Sequence, residues 1–137
     1  MDAYRAQLLR FAPDGQPLYE RDGLLVVDAD ASGVRKVVDA GDFRALAARH
    51  AQVPVTHWPD RIIAPGFIDM HVHYAQLDVI GAPADGLLPW LENYTFPAEA
   101  RFADPAHAAE VASLFFDELR RHGVTTALTF PPSHPGS

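Results

Sequence analysis

The chain has 137 residues, 48% of them hydrophobic, and no cysteine. That length allows one domain or two very small ones around a packed core, and it excludes a disulfide framework and any thiolate metal site, so a bound metal must be held by His, Asp, Glu or carbonyl oxygen. With 18 acidic against 11 basic residues, a formal charge of −7 and no Lys/Arg cluster, the composition argues against nucleic acid or an anionic membrane and favours a small neutral or polar ligand.

From the N-terminus, no basic stretch precedes an apolar one, and no apolar run approaches the roughly 20 residues that span a bilayer, so the chain reads as soluble and cytoplasmic. Residues 1–64 read as a small β-rich unit. "YRAQLLRF" (4–11) and "LYERDGLLVVDAD" (18–30) are strand-like, and the "PDGQP" between them carries turn chemistry, which predicts a hairpin. "GVRKVVDAG" (33–41) adds a short strand. In "DFRALAARH" (42–50), Asp42 is an N-cap candidate and Phe43, Leu46, Ala47 and His50 have the spacing of one helical face, with His50 ending the helix where a cation suits the dipole. "VTHWPDRIIAPG" (55–66) gives another strand before Pro65-Gly66 marks a boundary.

Residues 65–137 follow a different pattern. "FIDMHVH" (67–73) is a largely apolar strand without polar alternation, as expected of a strand covered on both faces. Residues 74–104 form a long, aromatic-rich loop of the kind that carries function. Asp104-Pro105 opens a helix as N-cap and N1, with Ala108, Val111, Phe115 and Leu119 as its apolar stripe and Gly123 as its stop. "VTTALTF" (124–130) is a β-branched strand. Strand, loop, helix and strand make a βαβ unit, the building block of parallel sheets.

Alternation along a strand turns 69, 71 and 73 to one face, so His71 and His73 can converge on one point. Two converging imidazoles are half of a zinc-type site, and His73 stands at the C-terminal strand end, where parallel barrels build active sites. Alone, H-x-H is a weak motif. Here it closes an apolar strand that a Pro-Gly opens, and Asp69 shares its face, either as a carboxylate orienting a ligand or as a satisfied buried acid.

"PGFIDMHVH" resembles the first-strand signature of the amidohydrolase superfamily. The stretch from "PGFIDMHVHYAQ" through "GLLPWLENYTFPAEARFADP" to "HGVTTALTF" is similar to the guanine deaminase family within it. The resemblance covers roughly residues 62–130. It implies an α/β fold, the start of a metal-dependent hydrolase TIM (β/α)8 barrel (two strands and one helix) preceded by part of a small β-sandwich. It implies further that His71 and His73 are the first two ligands of one divalent metal, usually zinc, and that Gln76 contacts the purine. The implied activity is hydrolytic deamination of guanine to xanthine by a metal-activated water, in a homodimer. The loop aromatics Trp90 and Phe96 could stack on a purine ring but are read as packing the loop itself, Glu99, Arg101 and Phe102 as loop scaffolding, and His107 and His122 as solvated helix residues.

The sequence also departs from that pattern. A complete barrel needs about 250 residues, whereas from Gly66 onward only about half of this chain remains. The expectation is an N-terminal fragment, with the other ligands and the proton-shuttling acid supplied downstream and no catalytic acid in this chain. Pro131-Pro132 removes ladder donors at the end of the second barrel strand, and the role of His134 is open. Two further readings are a hydrolase for another heterocycle (triazine, pterin or adenosine derivative) and a non-catalytic remnant or interaction module. An open two-stranded piece is expected to fold poorly or to associate.

Overall fold

The computed structural model describes residues 1–134. The chain divides at the Pro65-Gly66 pair into two units, each with its own sheet.

The first unit is a four-stranded sheet in the order β3-β2-β1-β4, with β1 Asp2–Phe11, β2 Pro17–Ala29, β3 Arg35–Asp42 and β4 Val55–Ile63. Strands β1 and β2 pair antiparallel, β2 and β3 antiparallel, and β1 and β4 parallel. The expected hairpin forms. Gly15 takes a φ of 84°, which glycine adopts without steric cost, and its N–H donates to the Ala12 carbonyl at 2.8 Å. Ala3, Leu24, Val26 and Leu46 form the core, with Phe43 and Val53 packed on it.

The expected helix over 42–50 is much shorter: α1 spans only Phe43–Leu46. Asp42 does cap it, accepting from the Ala45 amide at 3.1 Å. The helix ends early, and although the His50 backbone N–H donates to the Leu46 carbonyl at 3.2 Å, its side chain does not serve the carboxyl end. Its imidazole Nε2 lies 2.9 Å from Asp39 Oδ2, which also accepts from Arg49 at 2.8 Å. The His50 hydrogen bond, opposed by partial burial, is the main cause holding the Asp39 carboxyl below its usual range.

The second unit pairs β5 (Phe67–Val72) with β6 (Val124–Thr129) in parallel, joined by a helical crossover. Its main helix, which we number α4 (Pro105–Arg121), follows the sequence reading: Asp104 accepts from the Ala106 amide at 2.9 Å and Gly123 stops it at φ 78°. Ala108, Val111 and Phe115 from this helix join Tyr74, Ala75 and Phe102 in the core.

Two expectations are corrected here. The 74–104 segment is not an open loop but a chain of short helical turns: a 3₁₀ turn Tyr74–Val79, α2 Leu87–Trp90, a π turn Leu91–Thr95, α3 Phe96–Ala100 and a 3₁₀ turn Arg101–Ala103. The π turn precedes Pro97, which has no N–H to donate to Asn93 and whose ring crowds an α-helical carbonyl there. The ladder slips instead to a bond from the Phe96 N–H to the Leu91 carbonyl. Nor is β5 covered on both faces. Phe67, Ile68 and Met70 are 69%, 63% and 66% exposed, because a two-stranded sheet offers too little neighbouring surface to bury them. Where the strands begin, the backbone of Gly66 passes so close to β6 that a Cβ on it would lie 2.2 Å from the Thr125 side chain. Among the described residues no helix is long and apolar enough to cross a membrane.

Candidate active site

The end of β5 gathers the candidate site residues His71, His73 and Gln76. His73 directly follows the strand with an extended backbone, φ −115° and ψ 101°, so the alternation that places His71 continues through it. The two imidazoles converge, with Nε2 to Nε2 at 3.0 Å. Two imidazole nitrogens each about 2.0–2.1 Å from a shared zinc-type ion, at angles of about 90–110°, lie about 2.8–3.4 Å apart. The observed separation is one that a single ion can span.

Among the described residues, no group of three or more His, Cys, Asp or Glu side chains comes together around a common metal position. The pair fits half of a metal site. Half-buried His134 does not complete it. Asp69 Oδ1 accepts from the backbone N–H of His71 at 3.0 Å, so one oxygen of the carboxylate is engaged on its own strand. It is half-buried rather than buried.

Phe130 is a site residue that sequence reasoning missed. Its ring stacks on His71 at 4.4 Å and on His73 at 5.2 Å between centroids. Its backbone N–H still donates to the Val72 carbonyl at 2.8 Å, one residue beyond β6. Pro131 has no N–H with which to extend that ladder, and the strand ends with the phenyl ring against the histidines. No local signal in "TFPP" announces this contact, which joins residues from two strands.

A cleft of about 250 Å³ opens beside the pair, lined by His71, His73, Gln76, Leu77, Ile80 and Trp90 among others. It is small, and its walls are mostly apolar with a few polar groups, as ligand sites usually are. The structure therefore brings His71, His73 and Gln76 to one place. Trp90, read from the sequence as internal loop packing, is half-buried and forms part of the cleft wall, because the helical turns of 87–100 fold back over the strand end.

Three ties hold that wall. Gln76 Nε2 donates to Glu99 Oε1 at 3.0 Å, Arg101 pairs with Asp78 at 2.8 Å, and Tyr74 meets Phe102 edge-on at 5.1 Å. Phe102, 2% exposed, is the anchor, which fits its reading as scaffolding. His107, in contrast, is not solvated. It packs edge-on against Phe102 at 4.9 Å, and its Nε2 is buried with no hydrogen-bond partner. His122 is exposed, with Nδ1 2.9 Å from the Glu118 carbonyl at the end of α4.

Comparison with known proteins matches residues 62–135 to the model of the amidohydrolase family. A guanine deaminase of Escherichia coli (strain K12) is 34% identical over 96% of this chain and 27% of its own length. The crystal structure of guanine deaminase from Bradyrhizobium japonicum superposes with a TM-score of 0.84 at 35% identity, over 98% of this chain and 30% of that one. Guanine deaminase from C. acetobutylicum, solved with guanine bound in its active site, gives 0.77 at 27% identity over 95% of this chain and 30% of that one. The chain thus spans under a third of the length of these relatives.

Proposed function

The chain belongs to the amidohydrolase family, and from that premise we propose that it carries the opening part of a purine deaminase site acting on guanine. In that reaction guanine takes up water, the bond from ring carbon to exocyclic amine breaks, ammonia leaves, and a carbonyl remains in xanthine. The observation that carries the reading is the convergence of His71 and His73 at 3.0 Å in the same cleft as Gln76.

His71 and His73 would hold one divalent ion of the zinc type. Such an ion, when bound, lowers the pKa of water towards about 7 and so supplies a nucleophile at neutral pH. The protein's own groups do the rest of the local work. Phe130 restrains both imidazole rings, Gln76 offers an uncharged amide to a purine edge, and Trp90, Leu77 and Ile80 give the flat ligand apolar walls.

A second reading concerns this polypeptide alone: it does not turn guanine over. It is supported by the missing third ligand, since two imidazoles make a weak zinc site among the described residues.

The test is zinc titration against a chromophoric chelator, with guanine turnover followed in the ultraviolet. The expected outcome is weak zinc binding that His71→Ala and His73→Ala each reduce by about tenfold or more, without turnover. Zinc affinity unchanged in both variants would overturn the metal assignment, and turnover by the chain alone would overturn the second reading.

A further inference from the structure

Gln76 borders the cleft, while Glu99, whose Oε1 accepts from Gln76 Nε2 at 3.0 Å, is not among the cleft's lining residues. The geometry points to Glu99 as a positioning residue that fixes which end of the Gln76 amide faces the ligand, and so makes the site select purines presenting an amine or N–H on the pyrimidine ring. This rests on the purine reading above and adds the source of its selectivity.

The Gln76 side chain ends in an amide. Its oxygen and NH₂ ends are nearly isosteric, so an unrestrained glutamine presents either a donor or an acceptor. A carboxylate only accepts. It therefore holds the NH₂ end and disfavours the flipped amide, in which two oxygens would face one another. With one N–H of the amide held by Glu99, Gln76 Oε1 is left as the amide's acceptor for a ligand in the cleft.

Glu99 is well placed to impose this orientation. It sits half-buried on α3, between buried Ala98 and the Arg101 that pairs with Asp78. Gln76 and Asp78 belong to one 3₁₀ turn, so the two ties, both spanning 23 residues, lock that turn to α3 and to the turn that follows it. An acceptor fixed in this way favours a ligand edge with an amine or a ring N–H, as guanine has, over unsubstituted purine, which lacks the amine and the pyrimidine-ring N–H.

The test compares guanine with unsubstituted purine as probes, by equilibrium binding to the zinc-loaded full chain, in wild type, Glu99→Gln and Glu99→Asp. ¹⁵N-resolved spectra of the Gln76 side-chain amide give a readout independent of ligand. Wild type is expected to prefer guanine by about tenfold. Glu99→Gln, nearly isosteric but able to donate as well as accept, should bring the ratio close to one and shift the Gln76 NH₂ resonances, whereas Glu99→Asp should retain part of the preference. A preference undiminished in Glu99→Gln would overturn the positioning role and leave the purine reading standing. Wild type that binds neither probe would remove the purine reading and this inference with it, a result distinguished by the wild-type measurement alone.

Discussion

The phenyl ring of Phe130 lies 4.4 Å from the imidazole of His71, stacked at an interplanar angle of 30°. It reaches His73 as well, so one apolar side chain from the end of β6 restrains both candidate ligands. Phe130→Ala should leave both imidazoles present but free to rotate, which weakens zinc binding by about tenfold. Phe130→Leu, which keeps bulk without the flat face, should fall between. Chelator competition gives these affinities, and an unchanged value for Phe130→Ala would show that the rings are held by something else.

Acid sensitivity should centre on the turn after β2. The ammonium of Lys36, 2.7 Å from Asp30 Oδ2, is the largest cause pulling the Asp30 carboxyl down to about 2, followed by the Ser32 hydroxyl and the amides of Ser32 and Val34. A depressed carboxyl pKa contributes stability that is fully present above the unfolded value of about 4 and is lost as pH falls through the folded one. Asp30→Asn should therefore flatten the part of the stability profile between about pH 4 and pH 2. Denaturant midpoints across that window, with an NMR titration of Asp30, check the effect. Parallel profiles for the two proteins would refute it.

The uncovered sheet of the second unit should make the chain associate. Phe67, Ile68, Met70 and Leu128 are all more than half exposed, and large apolar patches left open to water favour association. Sedimentation should report weight-average mass rising with concentration, and Ile68→Lys with Met70→Lys should suppress the rise. A wild-type chain that stays monomeric at every concentration would count against this.

What the sequence disclosed was mostly what neighbouring residues decide among themselves. The turn at Gly15, the caps at Asp42 and Asp104, the stripe of α4 and the alternation that aims His71 and His73 all act over a few positions, where spacing is a sufficient guide. The contacts it hid join distant segments. Phe130 meets His71 across two strands, and Glu99 meets Gln76 across 23 residues. The helical turns of 87–103 were hidden for another reason: each is too short to show a period, and Pro89 and Pro97 argue locally against helix.

The close passage of Gly66 beside Thr125 bears on the histidines from a distance. Strands β5 and β6 run as two prongs from that root and stay paired as far as Val72 and Thr129, one leading to His71 and His73 and the other to Phe130. At about 3.3 Å per residue, roughly 16 Å of stiff strand separates Gly66 from His71. A methyl group wedged in at the root would splay the prongs, and the gap would open where the imidazoles rest on the phenyl ring. The geometry of the candidate ligand pair at one end of the sheet thus depends in part on a residue at the other end that has no side chain at all.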